Sequence, residues 1–130
     1  MVDNLPLVSV CITTYNRKNL LVQTIKSILV QDYSNFEIII VDDFSQDGTI
    51  ELIKNSILKL DDRITYINHK FNKGLAAARN TAINNANGKY FTFCDDDDKW
   101  SKKFLSTFVY IANKNNNNVS FCSSLISRDQ

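Results

Sequence analysis

Two runs of β-branched and apolar residues constrain this chain most: PLVSVCITTYN (6–16) and NFEIIIVDD (35–43), each too continuous to leave one face in water. A half-exposed strand alternates apolar with polar residues. A run that is apolar on both faces needs cover on both, which is the condition of a parallel sheet between helix layers. The segment between the two runs supplies such cover. Over 18–31, Leu21, Ile25, Ile28 and Leu29 fall on one helical stripe, with Asn16 as the expected N-cap. The rhythm then repeats. SQDGTIELIKNSILKL (45–60) reads as a helix with Ile50, Ile53, Ile57 and Leu60 at core spacing, and RITYINH (63–69) as a strand. KGLAAARNTAINNA (73–86) reads as a small-residue helix ended by Gly88, followed by the strand KYFTFCD (89–95), the helix SKKFLSTFVYIANK (101–114) and a fifth strand, NNVSFCSSL (117–125). Parallel neighbours require crossover connections, and right-handed crossovers predict a Rossmann-like α/β fold: a mostly parallel sheet, helices on both faces, strand order 3-2-1-4 at its core.

Bulk properties narrow the function classes. With 130 residues and 44% hydrophobic content, the chain suffices for one domain over 1–130. A formal net charge of +1 gives no basic excess, so no nucleic-acid partner is expected. Cys11, Cys94 and Cys122 are widely spaced in apolar runs and read as reduced thiols, neither a disulfide framework nor a zinc site. Without a signal peptide or a membrane-length apolar run, the expected compartment is the cytoplasm.

In open α/β sheets, ligands bind beyond the carboxyl ends of the strands where the strand order reverses. Strand one ends in Thr13, Thr14, Tyr15 and Asn16, strand two in Asp42 and Asp43, and strand four in Asp95, Asp96, Asp97 and Asp98. If strands two and four flank strand one, the two acidic sites lie about 10 Å apart, twice the interstrand spacing, and a nucleoside diphosphate spans that gap. The loop TTYNRKN contains no glycine, so a phosphate cradle of the P-loop kind is excluded. Four successive carboxylates suit a hard divalent cation instead, Mg²⁺ or Mn²⁺, bridging to phosphate oxygens; the bland alternative is a solvated acidic turn. Asp43 suits the imide N3–H of uracil, a donor that cytosine lacks, with Thr13 beside it and Tyr15 available to stack. Asp42 is assigned to capping the next helix. His69 has no other nitrogen or thiol ligand near it in sequence and is expected to pack at the surface, and Trp100 to anchor the following helix.

The segments VSVCITTYNR, FEIIIVDDFSQDGT, NKGLAAARNTAI and GKYFTFCDDDDKW, in this order and spacing, closely resemble the nucleotide-sugar-binding half of inverting GT-A glycosyltransferases of family 2. The resemblance runs over roughly residues 6–125. It implies that Thr13, Tyr15 and Asp43 contact uracil or ribose, that Asp97 and Asp98 reach ribose and metal, and that Asp95 is the first Asp of the family's D-x-D-D pattern. Arg79, in AARN, resembles the family's basic residue at the donor site. The implied nucleotide-binding set is thus Thr13, Tyr15, Asp43, Arg79 and Asp97, and the implied metal set Asp95, Asp97 and Asp98, holding Mn²⁺ or Mg²⁺. The implied reaction is transfer from a UDP-sugar to the hydroxyl of a glycan or lipid-linked acceptor, by one inverting displacement, in surface polysaccharide synthesis.

Two departures follow from the resemblance. Asp96 stands where the family has a small or neutral residue, which obscures the pair that holds the metal. The family's general base and acceptor-binding segment fall beyond residue 130, so the chain is expected to be the N-terminal part of a longer enzyme, peripheral at the inner face of the membrane. Alone it is expected to bind donor without transferring sugar, and an apolar edge at such a boundary would favour a homodimer. Rival readings are weaker. A phospho-receiver domain would carry its acidic pair after strand one and an Asp after strand three, where Thr-Thr-Tyr-Asn and Asn68-His69-Lys70 stand. A metal-dependent nucleotidyltransferase would need a glycine- and base-rich triphosphate loop after strand one. A non-catalytic nucleotide-sugar-binding module is the third alternative.

Overall fold

In a computed structural model that describes residues 5–115, the two apolar runs form strands β1 (Val8–Thr14) and β2 (Phe36–Asp42), linked by helix α1 (Lys18–Leu29). Helix α2 (Thr49–Asn55) and a 3-10 turn (Ile57–Lys59) lead to β3 (Ile64–Asn68), then α3 (Leu75–Asn84), β4 (Tyr90–Asp95) and α4 (Phe104–Lys114). The sheet is parallel with order β3-β2-β1-β4, as the crossover argument predicts. The strand expected over 117–125 lies outside the described residues. Among those residues, no helix is long and apolar enough to cross a membrane.

Side-chain alternation on the central strand feeds two cores. Val8, Val10 and Ile12 of β1 join Ile38 and Ile40 of β2 under Leu21, Ile25 and Ile28 of α1, with Ile53, Ile57, Leu105 and Val109 completing the layer. On the opposite face, Cys11, Ile39 and Val41 pack against Ala78 and Ala82 of α3. Burial of each large aliphatic side chain contributes about 1.5–3 kcal/mol, and α3 needs only alanines because it lies directly on the sheet. Trp100 stacks on Phe104 at 3.9 Å between ring centroids, and its backbone N–H donates to Ser27 Oγ, so it anchors α4 as expected.

Helix starts depart from the sequence reading. Asn16 is not the N-cap of α1: it has φ 54° and its Oδ1 accepts the Gln46 N–H. Arg17 occupies the cap without a side-chain bond, while Asp47 Oδ2 accepts the Lys18 N–H from another loop. Helix α2 begins at Thr49 rather than 45 because Asp42 Oδ1 accepts the Ser45 N–H and holds the intervening residues as a turn. Asp47 Oδ1 accepts the Thr49 N–H, so Asp47 rather than Asp42 serves the helix start.

Gly88, two residues before β4, lies tightly against β1. A Cβ there would lie 2.6 Å from the Tyr90 carbonyl oxygen and 2.7 Å from the Ser9 nitrogen, both backbone atoms. Gly88→Ala is therefore expected to force the strands apart and lower the unfolding free energy by about 1–3 kcal/mol. Urea denaturation measures this, and an alanine variant as stable as the parent would refute the close approach.

Candidate functional site

A cleft of about 510 Å³ opens at the carboxyl ends of the strands. It brings together Thr13, Tyr15, Asp43, Arg79, Asp95 and Asp97. The sheet order explains this convergence: Thr13 pairs with Val41 on one side and with Asp95 on the other, and the Asp43 N–H continues the ladder to the Thr14 carbonyl at 2.9 Å. Asp98 does not line the cleft, but one carboxylate oxygen each from Asp95, Asp97 and Asp98 lie within 4.8 Å of one another.

The four aspartates divide into two kinds. Asp95 ends β4, and the Asp98 N–H donates to its carbonyl at 3.0 Å, closing a turn with Asp96 and Asp97 at the corners. Asp96 points inward and is 6% exposed. Its carboxylate accepts from Thr14 Oγ1 at 2.9 Å and from Arg17 Nη1 at 3.3 Å, and its carbonyl accepts from Thr24 Oγ1 at 2.9 Å. The additional aspartate is thus a fastener that ties the turn to β1 and α1, and the exposed Asp95, Asp97 and Asp98 form the cluster. Burial, helped by the charge of Asp97, raises the Asp96 carboxyl against the lowering bonds from Thr14 and Arg17. Desolvation and then the charges of Asp95 and Asp97 raise that of Asp98.

Three converging carboxylates, one with its ionised form disfavoured by desolvation and then by its neighbours, fit a hard divalent cation such as Mn²⁺ or Mg²⁺. Two guanidiniums lean on the cluster: Arg17 Nη1 lies 3.0 Å from Asp97, and Arg79 Nη2 lies 3.6 Å from Asp95.

At the β2 end the carboxylate is clamped. Asp43, 5% exposed, accepts from His69 Nδ1 at 2.7 Å and the Lys73 N–H at 2.9 Å on Oδ1, and from the Gly74 N–H at 2.8 Å on Oδ2. Burial pushes its carboxyl up, but the bonds from Lys73, His69 and Gly74 outweigh this and hold it below the usual carboxylate range. Gly74 delivers its N–H from φ 92°, a conformation that favours glycine. Tyr15 stands half-exposed in the cleft wall.

His69 overturns the surface expectation. It is 5% exposed, with Nδ1 on Asp43 and Nε2 2.9 Å from Thr81 Oγ1 of α3, so it supports the clamp from behind. Its partners lie 26 and 12 residues away, beyond the reach of local pattern reading. Arg17 also escaped notice, although it stands in the loop after strand one, which the sheet order sets beside the acidic turn.

A parallel β3-β2-β1-β4 sheet with this acidic strand-end cleft defines the GT-A glycosyltransferase fold, and solved structures of that class superimpose on it. The chain belongs to glycosyl transferase family 2, whose family model matches residues 9–129. It is 48% identical over 107 residues to WcaA of Escherichia coli K12, a glycosyl transferase named for colanic acid biosynthesis, with 82% of this chain and 38% of that protein covered. It is 39% identical over 123 residues to WfaP of Escherichia coli, a UDP-Glc:alpha-D-GlcNAc-diphosphoundecaprenol beta-1,3-glucosyltransferase, covering 95% of this chain and 48% of WfaP. Staphylococcus aureus TarS 1-349 in complex with UDP matches with TM-score 0.75 and 28% identity over 84% of this chain and 32% of TarS. Mannosyltransferase PcManGT of Pyrobaculum calidifontis, in complex with GDP-Man and Mn²⁺, matches with TM-score 0.77 and 29% identity over 85% of this chain and 33% of PcManGT. The chain spans less than half the length of each of these proteins.

Proposed function

We propose that this chain is the donor-binding part of a glycosyltransferase that uses a UDP-sugar with Mn²⁺ or Mg²⁺ and transfers the sugar, with inversion, to a glycan or lipid-linked acceptor in surface polysaccharide synthesis. The carrying observation is the pairing, across one cleft, of a clamped anionic Asp43 with the Asp95, Asp97 and Asp98 cluster. Asp43 Oδ2 accepts only the Gly74 N–H within the described protein, leaving capacity for the uracil N3–H, and Tyr15 covers the base. Thr13 and Asp97 contact the ribose side, and Arg79 faces the diphosphate from α3. A bound divalent cation would supply positive charge to the departing diphosphate. A general base would deprotonate the acceptor hydroxyl, in an enzyme working at the cytoplasmic face of the membrane. The donor named for WfaP and the UDP bound by TarS support uracil; PcManGT, with GDP-Man and Mn²⁺, supports the metal and names the rival base.

The test is calorimetric titration of UDP, CDP and GDP with Mn²⁺ and with EDTA. UDP is expected to bind only with Mn²⁺, and CDP at least about 10-fold more weakly because Asp43 then faces an unprotonated N3, an acceptor where uracil has a donor. Tighter binding of GDP would replace uracil by guanine, and pyrophosphate release from a nucleoside triphosphate would move the chain to the nucleotidyltransferases.

A further inference from the structure

Arg17 is shared between two carboxylates of unlike character. Asp96 is buried, is held by Thr14 and lies outside the metal cluster, whereas Asp97 is exposed and belongs to it. One nitrogen, Nη1, reaches both, at 3.3 Å to the buried Asp96 and 3.0 Å to the exposed Asp97, so the guanidinium can let go of one and keep the other. Its own side chain is 51% exposed and lines the same cleft as Arg79. Among the described residues, two arginines form ion pairs with the four-aspartate turn, a balance of two negative charges that one divalent cation would match. Once Asp97 shares its charge with such a cation, its attraction for Arg17 falls, while a diphosphate on the same cation presents a fresh anion to a guanidinium already in the cleft.

We propose that Arg17 is a transferable counter-ion: it neutralises Asp97 in the empty cleft and, keeping Asp96, passes to the diphosphate when metal and nucleotide bind. The inference rests on the donor-site reading above. It gives Asp96 a purpose, because a neutral residue there would leave Arg17 without a tether once Asp97 is engaged. Arg17 is accordingly a positioning residue at the leaving group, and a planar fork suits two phosphate oxygens better than an ammonium does.

Opposed effects on two ligands test this. In Arg17→Gln, Mn²⁺ alone, followed by electron paramagnetic resonance, is expected to bind about 3- to 10-fold more tightly because an internal competitor is gone. UDP at saturating Mn²⁺ is expected to bind at least about 10-fold more weakly because a phosphate ligand is gone. Arg17→Lys keeps the charge and should return Mn²⁺ affinity to the parent value while restoring only part of the UDP affinity. If both ligands weaken together in Arg17→Gln, Arg17 is a fixed brace of the turn and the inference is overturned. If neither changes, it is an inert surface pair and the inference is equally overturned. A parent chain that binds no UDP with Mn²⁺ sinks the donor-site reading itself, and this inference with it.

Discussion

A chain carrying Asp97→Asn together with Asp98→Asn is expected to lose Mn²⁺-dependent UDP binding by at least about 100-fold while melting at or above the parent temperature. The binding loss follows from removing two of the three converging carboxylates. The stability effect has the opposite sign. Asp98 has a folded-state carboxyl raised above its ordinary value by desolvation and by Asp95 and Asp97. A raised acid holds its proton longer in the folded than in the unfolded state, so stability declines as pH rises through that window, and the penalty is complete at neutral pH. An amide removes the penalty. The Arg17–Asp97 pair lost in exchange is exposed, and such pairs contribute about 0–1 kcal/mol. Calorimetry and thermal melts at pH 7 check both arms. Retained UDP binding would reduce the aspartate run to a solvated turn, and a melting temperature several degrees lower would make it a structural element.

Asp43→Ala is expected to act on stability first, lowering the unfolding free energy by about 3–5 kcal/mol, a large part of what a domain of this size possesses. The substitution strips a buried acceptor from His69 Nδ1 and from two backbone N–H groups at the start of α3. Asp43→Asn keeps one oxygen and turns an amide against a donor, so it should cost less and serve for a pH test. The Asp43 carboxyl is held below its ordinary value of 3.8. As pH falls, the unfolded chain takes up the proton first, so the stabilisation is full above that ordinary value and is lost as pH drops through the folded one. Urea midpoints between about pH 6 and pH 3 should therefore fall less steeply for Asp43→Asn than for the parent. Glu37, Asp47 and Asp61, also held low, supply the slope that remains. Superimposable acid arms would remove Asp43 from this role.

What the sequence disclosed and what it hid divide along the range of the interactions. Ile38, Ile39 and Ile40 are apolar on both faces because helices cover both, and that condition is written locally; with crossover handedness it led to the observed strand order. The acidic run and Asp43 were visible because strand ends in such a sheet share one edge. The fold placed His69 in the interior and Asp96 behind the cluster through partners many residues distant. Helix starts failed for the same reason: the Lys18 N–H finds its acceptor on Asp47, 29 residues on, and no window around 16–18 contains that information.

The fastening of Asp96 also has a consequence in time. Its bonds from Thr14 and Thr24 span 82 and 72 positions, so the acidic turn acquires its orientation only after nearly all of the described chain has been synthesised. Contacts of such long range are slow to form, since a large loop must close before any of them is gained. Until residues 90–95 dock, β1 presents an open edge to neighbouring nascent chains, and the carboxylates float without a fixed geometry. The partners that clamp Asp43 all precede residue 75, so that end of the cleft is complete in an earlier stretch of chain than the acidic turn, whose geometry arrives with the docking of a single strand.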